Sequence, residues 1–225
     1  MQIGHSFLTS SDIEILDGDY PTSVLEAHKY HDDGPTWKIG KDGLVIIEEG
    51  SWGKPERTVG EPQTVRRIMK EYGDHIGWWA AFYWIPIDVI IACIATETGG
   101  VPDARREEPG FKSDKETPHR VSTGLMQTLF STAQRMVPDA KVTNEWLSNP
   151  NNSIRAGVAY IHHQSQKTKT DPPLVAAAYN SGGLYRQNGK ENRWKLRNYP
   201  IGTGHHIDRF VKFYNDSFSQ KWWGV

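Results

Sequence analysis

The chain has 225 residues and a formal net charge of −1, enough length for one large core or one core with a small appendage. The near-neutral charge gives no reason to expect nucleic acid or an anionic membrane as a partner. A single cysteine, Cys93, excludes an internal disulfide framework, and the first residues lack the basic start and apolar run of a secretory signal.

The first part of the chain differs from the rest. Residues 36–39 and 44–47 are short apolar runs joined across a turn, and Asp42-Gly43 is the strongest hairpin signal. A short helix is expected over residues 23–30. We therefore expect residues 1–60 to form a small N-terminal extension of α/β or β-hairpin type that could bind a substrate or a partner, and residues 61–225 to form the main domain.

Two histidines in this segment have a spacing that a metal site could use. His28 and His31 are three residues apart and are followed by Asp32 and Asp33. No cysteine lies nearby and no further ligand is clustered with them, so surface histidines are the expected outcome. We expect no metal and no cofactor.

From Pro62 onward the pattern is helical. Val65, Ile68 and Met69 line one side of a predicted helix that pauses near Gly73.

The apolar segment from residue 76 to residue 95 is about long enough to span a bilayer, which needs roughly 20 residues. Pro86 and Asp88 lie in its middle, however, and an aspartate there costs about 2.5–3.5 kcal/mol on insertion scales. Two buried helices that meet at residues 85–86 explain the segment better, so no stable membrane insertion is expected.

The stretch from Pro86 to Gly100 predicts the central helix of the core. It is apolar on all sides, and Gly99 and Gly100 suit a helix C-terminus because glycine readily adopts the left-handed conformation. Glu97 is the exception, a carboxylate in the last turn. Burial and the negative end of the helix dipole would both raise its pKa and keep it protonated as a proton donor. The alternative is that Glu97 simply reaches the surface where the helix ends.

More helices are expected after a long, charged connection at residues 101–122. They have hydroxyl or amide residues, or prolines, at their starts and apolar faces at helical spacing. The expected starts and ends are Ser131 to Met136, a helix capped by Thr143, one capped by Asn151, Asn152 or Ser153, Pro172 to Asn180, and His205 to Phe218. The fold class is therefore mainly α.

Three fragments at predicted helix ends occur in a fixed order: Glu97-Thr98-Gly99-Gly100, Gly124-Leu125-Met126-Gln127 and Ala178-Tyr179-Asn180. Together they resemble the lytic transglycosylases related to goose-type lysozyme. Residues 151–160 are similar to the Asn-Ile-x-x-Gly-x-x-Tyr helix of that family, and the resemblance covers roughly residues 64–217. It implies a lysozyme-like helical domain that cleaves the β-1,4 bond between N-acetylmuramic acid and N-acetylglucosamine in peptidoglycan.

Carried over position by position, the resemblance makes Glu97 the acid/base. The substrate-binding candidates that it implies are Thr98, Met126, Gln127, Tyr179 and Asn180. Gln127 and the backbone around Met126 would bind an N-acetyl group, and Tyr179 and Asn180 would orient Glu97 or the sugar. Two alternatives stay open: Gln127 only caps backbone groups, and Met126 faces the core. The Glu-Thr-Arg-x-Tyr segment of the family is not evident, and Asp208-Arg209-Phe210 lies in that region.

A single acid is enough for a transglycosylase, because the 6-hydroxyl of the muramic acid itself can close a 1,6-anhydro ring. Hydrolysis normally needs two carboxylates. The alternative is therefore a hydrolytic muramidase that takes its second carboxylate from the 101–122 connection, where the candidates are Asp103, Glu107, Glu108, Asp114 and Glu116. An alternative of another class is a non-catalytic wall-binding or phage tail structural protein.

The expected setting is that of a bacteriophage lysin. The absence of a signal and the small appended module suit an endolysin that passes from the host cytoplasm to the cell wall, or a virion-associated lysin. A bacterial enzyme exported another way is the further alternative. The expected partner is the peptidoglycan glycan strand, with no nucleic acid, and the expected state is a monomer.

Overall fold

A computed structural model describes residues 20–222 of the chain, so residues 1–19 of the predicted extension lie outside the described part. The chain divides into two compact units: unit 1 holds residues 20–62 and 168–222, and unit 2 holds residues 63–167. The assignment of residues 1–60 as a separate extension stays a prediction. Within unit 1, residues 20–62 pack together with the C-terminal part of the chain.

The described residues are mainly helical, which confirms the predicted fold class. The helices are α1 (Thr22–Leu25), α2 (Gln63–Tyr83), α3 (Ile87–Glu97), α4 (Phe130–Met136), α5 (Asn144–Ser148), α6 (Pro150–Thr168), α7 (Pro172–Ser181) and α8 (His205–Phe218). The strands are β1 (Trp37–Gly40), β2 (Gly43–Glu48), β3 (Ser51–Trp52), β4 (Arg105–Glu107), β5 (Val121–Thr123) and β6 (Thr128–Leu129). They form two small antiparallel sheets of order β1-β2-β3 and β4-β5-β6.

The predicted hairpin is present in unit 1. Gly40 pairs with Gly43 across a two-residue turn, and Gly43 has a φ of +121°, which favours glycine. A Cβ at Gly43 would also collide with the side chain of Asn215 on α8. The Asn215 amide oxygen accepts a hydrogen bond from the N–H of Leu44 at 2.7 Å. The hairpin is therefore fixed to the last helix by a buried polar side chain.

The expected helix over residues 23–30 is shorter than the sequence predicts. It ends at Leu25, because the backbone of His28 instead exchanges hydrogen bonds of 3.0 and 2.8 Å with Trp37. The predicted pause at Gly73 is also wrong. Helix α2 runs through it without a break, since the packing of buried residues such as Ile76 outweighs the cost of about 1 kcal/mol for one glycine in a helix.

The central helix α3 is buried on all sides, as its sequence predicts. Every residue from Asp88 to Thr96 is buried, and the apolar residues from Val89 to Ala95 are at most 4% exposed. Gly99 and Gly100 have positive φ angles of 64° and 91° just after the helix ends. The predicted cap at Thr143 is confirmed by its bond to the N–H of Trp146.

Two other predicted caps are wrong. Helix α4 starts one residue before Ser131, directly after strand β6, so that Leu129 occupies the N-cap position. Helix α6 starts at Pro150, and the side chain of Asn149 accepts from the N–H of Asn152 at 3.3 Å. In both cases the preceding backbone decides which of several suitable residues can serve as a cap.

A buried carboxylate joins the two chain segments of unit 1. Asp171, at the start of α7, is fully buried. It accepts a hydrogen bond from the indole N–H of Trp37 at 2.9 Å and lies 2.8 Å from Nε2 of His28. Burying a charge without partners is costly. The contacts with Trp37 and His28 therefore stabilise the packing of residues 28–37 against the start of α7.

The geometry of His28 requires an extra proton on this pair. Its Nδ1 lies 2.9 Å from the carbonyl oxygen of Glu26, and its Nε2 faces the carboxylate of Asp171. A neutral imidazole has one N–H and cannot satisfy two acceptors. Burial lowers the pKa of His28, but the hydrogen bond and charge of Asp171 and the Glu26 carbonyl raise it more, so the net shift is upward. His28 is therefore not a fully exposed histidine but a half-buried one that contacts the buried Asp171.

We expect this pair to make stability depend on pH. A histidine whose folded pKa is raised above 6.5 stabilises the fold fully below that value, and the contribution is lost as pH rises through the folded pKa. His28→Gln should therefore destabilise the protein more at pH 5.5 than at pH 8.5. The difference should be about 1.5 kcal/mol, the lower end for a hydrogen bond to a charged group, because His28 is partly exposed. Urea unfolding at both pH values measures it, and an equal loss at both would contradict it.

No helix within residues 20–222 is both long enough and apolar enough to cross a membrane. The apolar segment from residue 76 to residue 95 is split between α2 and α3, with residues 84–86 as the break.

Candidate active site

Glu97 is the last residue of α3, and its side chain is half-buried. The chain then turns through Gly99 and Gly100, where a Cβ at Gly100 would press against Ile68 of α2. Helix α2 also donates hydrogen bonds to the carbonyl oxygens of this turn, from the guanidinium of Arg67 to Gly99 and from the hydroxyl of Tyr72 to Gly100 at 3.2 Å. The position of Glu97 is thus set by a buried helix before it and a tied turn after it.

Thr98 connects this helix end to the Gly-Leu-Met-Gln segment. Its hydroxyl donates to the carbonyl oxygen of Leu125 at 2.8 Å and accepts from the N–H of Gly100 at 3.2 Å. The structure therefore places Glu97 and residues 124–127 next to each other within unit 2. The hydroxyl of Thr98 already has these partners, and its predicted contact with substrate stays a prediction.

Gln127 uses most of its hydrogen-bonding capacity inside the protein. Its Nε2 donates to the carbonyl oxygens of Ala104 and Gly124 at 2.8 and 2.9 Å, and its Oε1 accepts from the hydroxyl of Ser122 at 3.0 Å. Two carbonyl oxygens can only accept, so the orientation of the amide is fixed by this network. Gln127 also has a positive φ of 46°. A bond to an N-acetyl group would have to use the remaining lone pair of Oε1.

Met126 has a fully buried side chain. It packs against Gly157 of α6, where a Cβ would collide with the methionine side chain, and its N–H donates to the hydroxyl of Ser153 at 3.3 Å. Gly124, with a φ of +87°, has the same kind of fit, because a Cβ there would collide with Ser153 and with the Leu147 carbonyl. The side chain of Met126 therefore faces the core, and only its backbone remains for the predicted substrate contact.

The charged connection after Glu97 is ordered by strand pairing and ion pairs. Strand β4 pairs with β5, and Arg105 bonds both Glu107 and Asp114 at 2.9 and 2.8 Å. Arg106 lies 4.0 Å from Glu108. Three of the five carboxylates that a hydrolytic mechanism could use are therefore already paired with arginines.

Tyr179 and Asn180, the remaining substrate-binding candidates, lie in unit 1 at the end of α7, and both are half-buried. The amide oxygen of Asn180 accepts from the N–H of Tyr199 at 2.6 Å, and its Nδ2 lies 3.5 Å from Nδ1 of His206. Burial, with a smaller effect of the Arg209 charge, lowers the pKa of His206 to about 3. The neutral ring can therefore accept from Asn180, whose amide holds residue 199 in place.

A family model that describes the transglycosylase SLT domain matches residues 74–201, more than half of the chain. The chain belongs to this family. The predicted resemblance to lytic transglycosylases is confirmed at that level, and no curated protein matches the chain by sequence.

Two solved structures are similar to this SLT-domain chain. One is an inactive mutant of the lytic transglycosylase Slt from Pseudomonas aeruginosa, with 20% identity, a TM-score of 0.50, and coverage of 69% of this chain and 25% of that one. The other is the 70 kDa soluble lytic transglycosylase SLT70 from Escherichia coli, with 19% identity, a TM-score of 0.45, and coverage of 66% and 24%. At such identity the first likeness shows the fold alone. The SLT-domain chain spans about a quarter of the length of either protein.

The late Glu-Thr-Arg-x-Tyr segment has no complete match in this chain. Its Arg-x-Tyr order occurs at Arg197-Asn198-Tyr199, inside the SLT family match, whereas residues 208–210 lie outside it. Asp208 instead bonds Arg193 and the indole N–H of Trp194, both at 2.8 Å.

No group of three or more His, Cys, Asp or Glu side chains that could hold a metal ion occurs among residues 20–222. Both ring nitrogens of His28 already have hydrogen-bond partners, the carboxylate of Asp171 and the carbonyl oxygen of Glu26.

Proposed function

We propose that this protein cleaves the β-1,4 bond between N-acetylmuramic acid and N-acetylglucosamine in peptidoglycan and forms a 1,6-anhydro product, with Glu97 as acid/base. The observation that carries the proposal is the SLT family match, which includes Glu97 at the end of a buried helix. The similar Slt structure supports it, since that protein is a lytic transglycosylase whose inactive mutant has glutamine in place of a glutamate.

The proposed mechanism uses one carboxyl group twice. Protonated Glu97 gives its proton to the leaving glycosidic oxygen and then, as the carboxylate, takes the proton from the 6-hydroxyl of the muramic acid. That hydroxyl attacks the anomeric carbon of its own ring. Because the nucleophile belongs to the same sugar, the step gains the rate advantage of an intramolecular reaction and needs no second carboxylate to activate water.

The hydrogen bonds next to Glu97 help to position its carboxyl group for this mechanism. A general acid must lie within hydrogen-bond reach of the oxygen that it protonates. The contacts of Arg67 and Tyr72 with the turn at residues 99–100, and of Thr98 with Leu125, limit the movement of the Glu97 backbone. We propose that Tyr179 and Tyr199 contact the sugar and that Asn180 positions Tyr199 by accepting a hydrogen bond from its backbone N–H.

The expected products are muropeptides that end in 1,6-anhydro-N-acetylmuramic acid, lighter by one water than products of hydrolysis. Mass spectrometry of purified peptidoglycan digested in oxygen-18 water measures this. Reducing ends that contain oxygen-18, without anhydro products, would instead support a hydrolytic muramidase. Asp103 would then be the first base to test, because it is exposed and no ion pair joins it to the described residues.

The proposed biological setting is a bacteriophage lysin related to goose-type lysozyme, either an endolysin or a virion-associated enzyme, that acts on the cell wall as a monomer. The family match supports the wall as its site of action.

A further inference from the structure

A short antiparallel ladder in unit 1 places two tyrosines and an arginine on one face. Arg186 pairs with Leu196, and the N–H of Arg197 donates to the carbonyl oxygen of Tyr185 at 2.7 Å. Tyr185 and Arg197 are therefore directly opposite each other, and such side chains lie on the same side of a ladder. Tyr199, two residues after Arg197, is on that side as well.

The alternation of burial supports this arrangement. Leu196 and Asn198 are fully buried, whereas Tyr185 is 51% exposed and Tyr199 is 48% exposed. The guanidinium of Arg197 lies 5.7 Å from the centre of the Tyr199 ring, and its Nη2 lies 3.3 Å from the tyrosine hydroxyl. We call Tyr185, Arg197 and Tyr199 the Tyr–Arg–Tyr face.

Arg197 differs from two other half-buried arginines in the groups that surround its charge. Arg155 bonds both carboxylate oxygens of Asp139, and Arg193 bonds Glu56 and Asp208. Within residues 20–222, no carboxylate lies within ion-pair distance of Arg197. Its Nε, like that of Arg155, is buried without a hydrogen-bond partner. A partly desolvated guanidinium without a counter-ion is costly, so an anionic ligand at this position would gain binding energy.

A second positive charge lies on the same side of the ladder. Lys195 comes two residues before Arg197, and its carbonyl oxygen accepts from the N–H of Gln187 at 3.0 Å. The Tyr–Arg–Tyr face therefore has a net positive charge and two exposed aromatic rings. A guanidinium fork binds a carboxylate in two hydrogen bonds, and the flat rings suit the apolar side of a sugar.

We propose that the Tyr–Arg–Tyr face binds a carboxylate-bearing sugar of the glycan strand, with Arg197 on the carboxylate and Tyr185 and Tyr199 against the saccharide. This inference rests on the proposed function, because peptidoglycan is the source of the ligand. The carboxylate belongs either to the lactyl group of muramic acid or to its stem peptide. Asn180, which holds the backbone of Tyr199, connects this face to the end of α7, where Tyr179 lies.

The test measures binding of three tetrasaccharides by calorimetry, in a Glu97→Gln background that prevents turnover. The first carries stem peptides, the second has free lactyl carboxylates after the peptides are removed, and the third is neutral chitotetraose. Arg197→Gln should weaken binding of at least one carboxylate-bearing ligand about ten-fold, the effect of one charge-assisted hydrogen bond. Binding of chitotetraose should not change. If the affinity falls only for the first ligand, the carboxylate belongs to the stem peptide. If the affinity for the second ligand falls as well, the carboxylate belongs to the lactyl group.

Two further variants complete the test. Arg57→Gln removes a positive charge from an exposed position of the same unit and should leave all three affinities unchanged. Arg197→Lys keeps the charge without the fork and should give an intermediate loss. Equal weakening of all three ligands by Arg197→Gln, or no weakening at all, would overturn the inference while leaving the proposed function intact. If the parent protein binds none of the three ligands and also fails to lyse walls, both proposals fail.

Discussion

Replacement of Glu97 by glutamine is expected to abolish lysis of purified cell walls while the protein stays folded. Glutamine has nearly the same shape but cannot donate a proton to the leaving oxygen, and general acid catalysis alone is worth about 10²–10⁴-fold. The neighbouring hydrogen bonds at Thr98 and Gly100 use other groups and are retained in the variant. Loss of turbidity measures lysis, and circular dichroism measures folding.

Glu145→Gln is the matched control for this experiment. Glu145 is an exposed carboxylate on α5 of the same unit, and its replacement should leave lysis within about two-fold of the parent protein, because it takes no part in the proposed proton transfer. A folded Glu97→Gln protein with ordinary lytic activity would disprove the assignment of the acid.

Asp171→Ala is expected to destabilise the protein strongly. The substitution leaves the indole N–H of Trp37 without its acceptor and His28 without its counter-ion, both in the interior of unit 1. Removing one partner of a buried charged pair typically costs about 3–5 kcal/mol, a large fraction of the stability of a domain. Urea unfolding followed by circular dichroism measures the loss.

Asp32→Ala serves as its control, because Asp32 is exposed and lies 3.4 Å from Lys29 in a surface pair. Such pairs contribute about 0–1 kcal/mol. If Asp171→Ala were no more destabilising than Asp32→Ala, the buried contacts with Trp37 and His28 would not hold the two segments of unit 1 together.

The parts of the fold that could be predicted are those that local chemistry decides. Helix α8 begins at His205 and ends at Phe218 as expected, because its apolar residues recur at helical spacing and become buried. The hairpin was predicted from Asp42-Gly43, although the two turn residues are Lys41 and Asp42 and Gly43 already pairs with Gly40. The starts of α4 and α6 could not be predicted, since several residues nearby are able to cap a helix and the direction of the preceding chain selects one.

The candidate site was predicted only in part, for a similar reason. Sequence order identifies Glu97 and the segment at residues 124–127, and the structure brings them together through Thr98. The sequence does not reveal that the amide group of Gln127 already donates both of its N–H hydrogen bonds inside the protein. The role of Asp171 had no signal in the sequence either, because its partners are 134 and 143 residues away.

That separation has a consequence for how the polypeptide acquires its structure during synthesis. Unit 2 is continuous, so its residues can associate as soon as they leave the ribosome, whereas the hairpin must wait until α7 and α8 have been made. Closing so long a loop carries an entropic cost that is met only by contacts formed late. We therefore expect residues 20–62 to be the last to gain protection in pulsed hydrogen exchange, although they are translated before unit 2.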